Sequence, residues 1–413
     1  GYNAMTSADG SESRNVAVGN SALQNMNSDA SNYNVAIGYT AGQNVTTGIR
    51  NTIMGGLVAG ALTTGNYNVA IGYGALYSED THSANTAVGY NALTLQNAGT
   101  DAYNVAIGYE SGANVSTGVL NTFVGGASGD AITTGSNNVA IGYEALSSED
   151  TGSRNVAVGE GSLKSLNYDG NGYNVAVGYD SGTSITSGTL NTLIGGSAGD
   201  SLTTGEQNTA IGYAALATED EGSRSVAVGY KALETQNTDG SVYNVAVGHL
   251  AGQAVTTGSN STLIGGLAGD ALTTGGQNVA IGYQALTSED TGTRNVAIGN
   301  NALLTQNIDG AAYNVAIGYA AGQNISSGYN NTIIGGLAGD SLSTGLANTA
   351  LGYQALGSED TGGRNTAVGY QALLSLDVGG DGFNVAMGYN AAANQTTGIH
   401  NVIIGNLAGD ALT

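Results

Sequence analysis

The chain has 413 residues, with 69 glycines and no proline, cysteine or tryptophan, and the missing cysteine excludes disulfides and thiolate metal sites. Eight basic residues against 31 acidic ones give a formal net charge of -23, which disfavours nucleic acid and anionic membrane surfaces as partners because both are negatively charged. No run of roughly 18 apolar residues is present, so the sequence predicts no membrane insertion.

One short phrase, Asn-Val-Ala-Ile-Gly-Tyr, recurs along the chain. It first appears at 34–39 and returns unchanged at 68–73, 104–109, 138–143, 278–283 and 314–319. If its Asn is position zero, looser copies fill the gaps, and 23 rungs follow one another at steps of 19, 17, 17 and 17 residues. Four rungs therefore make a 70-residue super-repeat. A regular period this short is typical of a solenoid, in which each coil is stabilised by its neighbours.

The composition of each rung favours strands and turns over helices. Short β-branched runs are bounded by Gly and Asn, and a second strand-prone stretch such as Ala-Leu-Thr follows the Gly at position four. We therefore predict an all-β protein, a parallel β-solenoid of 17- and 19-residue rungs forming a single domain over residues 1–413. At about 3.3 Å per residue and about 4.8 Å per coil, the rungs would stack into a rod of about 110 Å.

The alternation within the phrase suggests which side chains face inward. Positions one and three are apolar in nearly every rung, so we expect them to fill the coil interior while position two faces outward. Position two is Ala in three rungs of four and bulky in the fourth, and an apolar outer face needs a cover. We predict that other copies of the chain supply it. The predicted subunit interface contains Ile53, Phe123, Leu193, Leu263, Ile333 and Ile403.

The Asn at position zero has a structural interpretation. Side-chain amides at the same corner of successive coils can form a hydrogen-bonded ladder and tolerate a tight backbone. We expect this ladder rather than a ligand site.

The longer motifs resemble a known family. Asn85–Leu93 and Asn365–Leu373 resemble the repeats of bacteriophage tail fibres, and the Val-Ala-Ile-Gly core is similar to the head repeats of trimeric autotransporter adhesins. The resemblance implies a homotrimeric, left-handed parallel β-roll used in attachment to cell surfaces. The adhesin heads have shorter rungs, so the two branches stay open. Because the chain begins and stops inside a rung, we expect it to be an excerpt of a longer fibre.

The 19-residue rungs carry the best candidates for a metal site. Their enlarged loops place oxygen-bearing side chains two residues apart near a Gly, as at the start of a calcium loop. The same residues are ordinary in turns, so calcium and a plain turn are both open. The candidate ligands are Asn167, Asp169, Asn237, Asp239, Asn307 and Asp309.

Two further acidic series recur every 70 residues. One is the Glu-Asp pair at 79–80, 149–150, 219–220, 289–290 and 359–360, with an Arg four residues after the Asp in most copies. The other is the Asp at 130, 200, 270, 340 and 410. A carboxylate pair can serve a glycosidase, but near-identical copies at fixed spacing favour solvated turns with a modest ion pair. The three histidines share no rung position, so we predict no enzyme activity.

Tyrosine rows are the remaining candidates for ligand contact. Aromatic rings with polar tips can stack on sugars or pack between subunits, and both interpretations are open. The candidate glycan contacts are Tyr103, Tyr173, Tyr243 and Tyr313. Taken together, the sequence predicts the structural shaft of a trimeric extracellular attachment fibre on a virion, which binds a cell-surface glycan or protein receptor. The alternatives are a bacterial surface adhesin or self-assembling filament and, third, a polysaccharide-degrading enzyme.

Overall fold

The computed structural model describes residues 1–10 and 13–412. The chain divides into two compact units, Gly1–Gln207 and Asn208–Thr413, and the same rung pattern runs through both. Over the described residues there is no helix, and every strand is three residues long. The strands of the first unit are β1 Val16–Val18, β2 Val35–Ile37, β3 Thr52–Met54, β4 Val69–Ile71, β5 Thr86–Val88, β6 Val105–Ile107, β7 Thr122–Val124, β8 Val139–Ile141, β9 Val156–Val158, β10 Val175–Val177 and β11 Thr192–Ile194.

The second unit continues with twelve strands. They are β12 Thr209–Ile211, β13 Val226–Val228, β14 Val245–Val247, β15 Thr262–Ile264, β16 Val279–Ile281, β17 Val296–Ile298, β18 Val315–Ile317, β19 Thr332–Ile334, β20 Thr349–Leu351, β21 Thr366–Val368, β22 Val385–Met387 and β23 Val402–Ile404. Within each unit, every strand pairs in parallel with the strand of the next rung.

The register of this pairing is constant. Val139 of β8 lies opposite Val156 of β9, and Val279 of β16 lies opposite Val296 of β17. Equivalent positions therefore stack in columns along each unit, which is the arrangement expected of a parallel β-solenoid. The prediction of an all-β parallel β-solenoid with rungs of about 17 residues is confirmed over the described residues.

The stretch after the strand differs from the prediction. We expected a second strand there, but residues 143–146 form turns in which Glu144 has φ 53° and Leu146 has φ 54°. Every second residue of this stretch has a positive φ, which is incompatible with the extended backbone of a strand. The stretch still bonds to the next coil, because the Leu146 amide donates to the carbonyl of Ser162 at 3.0 Å.

The two faces of the strand are the reverse of the prediction. Position two points into the coil, where Ala140 and Phe123 are fully buried, whereas Ile141 at position three is 38% exposed. The predicted interface residues Ile53, Phe123, Leu193, Leu263 and Ile333 are fully buried inside the coils, and Ile403 at position two of the last rung is half-buried. This part of the prediction is wrong. The interior is already filled by side chains from positions eight and eleven, such as Leu146 and Ile132, so Ala suffices at position two.

Glycine at position four ends each strand and allows the coils to stack closely. Gly38 has φ +138°, and a Cβ added there would lie 2.0 Å from the carbonyl oxygen of Gly55 in the next coil. Only Gly accepts both the backbone conformation and the approach. The side chain of any other residue would separate the coils.

The Asn ladder is confirmed, with a detail that the sequence did not reveal. In the buried corner, the Asn121 Oδ1 accepts the backbone N–H of Asn138 at 2.9 Å, and its Nδ2 donates to the carbonyl of Gly135 at 2.9 Å. One amide therefore joins two coils and also closes its own coil. Ser261 keeps only the first function, since its Oγ accepts the N–H of Asn278 at 3.2 Å.

Candidate functional site

The outward face of the strands is an uncharged and largely apolar surface, which we call the outer face and define as positions one and three of β1–β23. These positions hold only Val, Thr, Ile, Leu or Met, and none carries a charge. Their side chains are half-buried to exposed along both units, with Ile107 40% and Met387 45% exposed. Position three is apolar in every rung, and position one is Val or Thr. An uncharged, largely apolar surface that continues from rung to rung marks an interaction site more often than a solvated face.

Tyrosines at position five stack into short columns beside the outer face. Tyr73, Tyr90 and Tyr109 have ring centroids 5.7 and 5.3 Å apart and nearly parallel planes. The columns Tyr213–Tyr230–His249 and Tyr353–Tyr370–Tyr389 repeat this arrangement in the second unit. Stacked rings cover each other's faces and present their edges and hydroxyls to solvent, so these columns suit packing better than sugar stacking.

The four candidate glycan tyrosines are not equivalent. The guanidinium carbons of Arg154, Arg224 and Arg294 lie 5.6, 5.8 and 5.5 Å from the ring centroids of Tyr173, Tyr243 and Tyr313. These cation–π contacts occupy one face of each ring.

Tyr103 differs because Ala84 stands in the preceding rung where the other copies have Arg. Tyr103 itself is 56% exposed. Of the four rings, Tyr103 is therefore the one without an Arg partner at that place and the best placed to accept a sugar.

The predicted calcium residues lie in the loops of the 19-residue rungs. Asp169 accepts a hydrogen bond from the Thr151 hydroxyl at 2.6 Å, and Asp309 accepts one from the Thr291 hydroxyl at 2.8 Å. These bonds join successive coils, which gives both acids a structural role without an ion. Calcium binding at Asn167, Asn237, Asp239 and Asn307 with their partners stays a prediction.

The Glu of the Glu-Asp series lies inside the coil, contrary to the predicted solvated turn. Glu149 is fully buried at position eleven, where its carboxylate accepts the N–H of Gly152 at 2.7 Å and of Tyr168 at 3.2 Å. Burial raises the pKa of Glu149 and of Glu359 above the ordinary value. Aligning the rungs by position reveals this burial, since Ile132 and Leu166 occupy the same column.

The copies of this Glu differ in the residue of the next coil. Gln236 donates to Glu219 at 2.7 Å and Gln306 donates to Glu289 at 2.9 Å, both from the side-chain amide. Leu166 and Leu376 stand at the matching places beside Glu149 and Glu359 and offer no donor. Glu149 and Glu359, whose pKa is raised by burial, therefore lack the amide donor that Glu219 and Glu289 have.

The lone Asp series is also less exposed than we expected. Asp130, Asp200, Asp270 and Asp340 are half-buried, and desolvation raises the pKa of each carboxyl. One carboxylate oxygen of Asp130 and of Asp200 is buried without a hydrogen-bond partner. Ionisation of these groups therefore opposes folding.

The sequence reasoning missed one cluster, formed by Glu79, Asp80 and His82. One ligand atom from each residue lies within 4.8 Å of the other two, and this is the one such group of three His, Asp or Glu side chains among residues 1–10 and 13–412. His82 Nδ1 lies 2.8 Å from Glu79 Oε1 and 3.8 Å from Asp80 Oδ1. The signal in the sequence was a His where the other four turns of the Glu-Asp series have Gly.

None of the described residues forms a helix long and apolar enough to cross a membrane. No protein-family model matches the chain, and no curated protein matches it.

Proposed function

We propose that this chain is the shaft of a homotrimeric extracellular attachment fibre, carried on a virion and directed at a cell-surface glycan or protein. The observation that carries the proposal is the outer face, which is uncharged, largely apolar and partly exposed in every rung of both units. The chain has 31 acidic residues and a net charge of -23, yet none of its Asp or Glu residues lies on this face. A second surface of the same composition is the simplest partner for it.

The size of the outer face is adequate for stable assembly. Twelve strands at about 4.8 Å make a strip of about 55 Å in the second unit. With a width of about 15–20 Å, which includes the tyrosine columns, the strip covers roughly 800–1,100 Å². Stable protein interfaces bury about 800 Å² per partner, so one unit is sufficient.

The outer face replaces position two as the proposed interface, while the expectation of self-association is kept. Three copies and an attachment role come from the resemblance of Asn85–Leu93 and Asn365–Leu373 to tail-fibre repeats. A regular parallel β-solenoid suits a shaft because its length grows by one coil per rung without a new fold. A bacterial surface adhesin is the alternative carrier of the same shaft.

Site-specific cross-linking tests this proposal, because the natural chain has no cysteine. Ile281 lies on the outer face of β16, and the adjacent Ala280 is fully buried in the coil. We expect Ile281→Cys to give covalent dimers with a short bifunctional maleimide, because only two of three subunits join at one cysteine pair. Ala280→Cys is the matched control and should give none. Equal yields from both variants, or none from either, would contradict assembly through this face.

A further inference from the structure

We propose that Glu79, Asp80 and His82 form a binding site for a divalent transition-metal ion, with zinc as the reference ion. The site lies within one turn of four residues, so it requires neither a second chain nor the attachment function. It would hold the ion through one imidazole nitrogen and two carboxylate oxygens, with a water molecule as the fourth ligand.

The distances between the three ligand atoms fit one ion. Zinc bonds to nitrogen and oxygen are about 2.0–2.2 Å, so adjacent ligand atoms of a tetrahedral site lie about 3.4 Å apart. The measured separations of His82 Nδ1 are 2.8 Å from Glu79 Oε1 and 3.8 Å from Asp80 Oδ1, on either side of that value. All three ligand atoms lie within 4.8 Å of one another, so side-chain rotations within the turn would bring them to one ion. The imidazole would bind through Nδ1 as the neutral tautomer with its proton on Nε2, which lies beside the Thr81 hydroxyl.

Neighbouring groups already hold these ligands in place. Glu79 is fully buried, and its Oε2 accepts a hydrogen bond from Gln96 at 3.3 Å while its Oε1 accepts the backbone N–H of His82 at 3.1 Å. The second nitrogen of the imidazole, Nε2, lies 3.3 Å from the Thr81 hydroxyl. Partners of this kind fix the orientation of metal ligands. Asp80 is 45% exposed, so the site is open to ions from solvent on that side.

A comparison with the other copies of this turn is an independent argument. The turn reads Thr81-His82-Ser83-Ala84, whereas the next copy reads Thr151-Gly152-Ser153-Arg154. Two changes therefore occur together: Gly becomes an imidazole ligand, and the Arg two residues later becomes Ala. Adding a nitrogen ligand and removing a nearby cation both favour a bound cation. The other copies keep Gly and Arg at 222 and 224, 292 and 294, and 362 and 364.

The donor set selects the class of ion. An imidazole with two carboxylates suits zinc and its transition-metal neighbours, whereas calcium and magnesium prefer all-oxygen sites. The proposed site is therefore distinct in place and chemistry from the calcium prediction in the 19-residue rungs. It is also distinct from general attraction of cations to an acidic protein, which needs no imidazole.

The test is a titration of the full chain with zinc in competition with a chromophoric chelator. We expect one bound ion per chain, which a hundredfold excess of magnesium does not displace. His82→Gly and Asp80→Asn should each weaken binding at least tenfold. Glycine is the natural residue at 152, 222, 292 and 362, so this variant is expected to fold, and a melting curve checks it.

Two control variants separate this site from its surroundings. Asp150→Asn removes the matching acid of the next copy, and His249→Gln removes an imidazole that stacks on Tyr230. Both should bind zinc like the natural chain. The proposal is overturned if His82→Gly retains the natural affinity and stoichiometry, or if Asp150→Asn weakens binding as much as Asp80→Asn does.

Discussion

The ring of Phe123 occupies the space that a side chain at Gly129 would need. A Cβ added to Gly129 would lie 2.5 Å from Phe123 Cε1, and both residues belong to the same coil. The next coil has the reverse pairing, with Ala140 at position two and Leu146 at position eight. Gly129 and Leu146 share a left-handed backbone, with φ 57° and 54°. Positions two and eight therefore share one interior volume, and a large residue at one requires a small residue at the other.

This exchange predicts the behaviour of three variants. Phe123→Ala should lower the free energy of unfolding by about 3–5 kcal/mol because it leaves a cavity. Gly129→Leu should also destabilise the fold, since the added side chain overlaps the Phe123 ring. The double variant should recover most of the loss, because it recreates the Ala140–Leu146 pairing of the next coil. Urea unfolding of the four proteins measures this recovery, and losses that simply add would show that the two positions do not share a volume.

The Asn ladder predicts graded effects at Asn121. Replacing it with Ala leaves the carbonyl of Gly135 and the amide of Asn138 buried and unpaired, which should cost about 2–4 kcal/mol. Replacing it with Ser should cost roughly half as much, because a hydroxyl keeps the bond between coils, as Ser261 does with Asn278. Chemical denaturation of both variants checks the order. Equal costs for Ala and Ser would mean that the bond between coils contributes little.

The buried acids predict that stability falls as pH rises. Desolvation raises the pKa of Glu149 and Glu359, and of Asp130 and its three equivalents, above the ordinary values of 4.5 and 3.8. A raised native pKa means that the native state binds more protons than the unfolded state. The free energy of unfolding therefore decreases as pH increases from the ordinary carboxyl pKa up through the native pKa. Asp80, Glu144 and Glu234 shift the other way and reduce the effect in part.

Two matched variants assign this pH dependence to the buried Glu column. Leu166→Gln supplies Glu149 with the donor that Gln236 gives to Glu219, so it should lower the pKa of Glu149 and make stability less dependent on pH. Gln236→Leu should have the opposite effect. The readout is the change in urea midpoint between about pH 4 and about pH 8, which lie below and above the Glu titration. Comparing two pH values separates the effect on titration from the change in packing that either substitution also causes. Unchanged pH dependence in both variants would refute this assignment.

The uncovered ring of Tyr103 predicts where a glycan contact would be found. If sugars bind to the Tyr row, Tyr103→Ala should weaken binding about tenfold, since one stacking contact is worth about 1–1.5 kcal/mol. Tyr173→Ala should have a smaller effect, because Arg154 already lies over that ring. Screening of the three proteins on a glycan array makes the comparison. Equal losses would remove the distinction between covered and uncovered rings.

Much of the fold could be predicted because the repeat determines it. The regular steps of 17 and 19 residues predict one strand in each rung, and the parallel register of Val139 with Val156 follows from the period. The sequence pattern could not show which face of the strand is buried. Alternation places position two on one face and positions one and three on the other, but both faces are largely apolar. The Phe123–Gly129 and Ala140–Leu146 pairings carry that information, but it becomes visible only when positions two and eight are compared.

The candidate sites were less predictable for a related reason. A Glu-Asp pair in a turn is ordinarily solvated, and only the alignment of Glu149 with Ile132 and Leu166 indicates that it is buried. The cluster at His82 depends on one residue that departs from the repeat. A comparison of what the repeats have in common does not detect such a residue. Left-handed backbone at Leu146 was also unexpected, because Leu seldom adopts it outside a context that enforces it.

The solution mass of the chain tests the central claim most directly. Each subunit has a mass of 40.8 kDa, so sedimentation equilibrium should give about 122 kDa for a trimer, and Ile281→Glu together with Ile298→Glu on the outer face should lower it. A natural chain that remains a folded 40.8 kDa monomer at micromolar concentration would contradict assembly through the outer face.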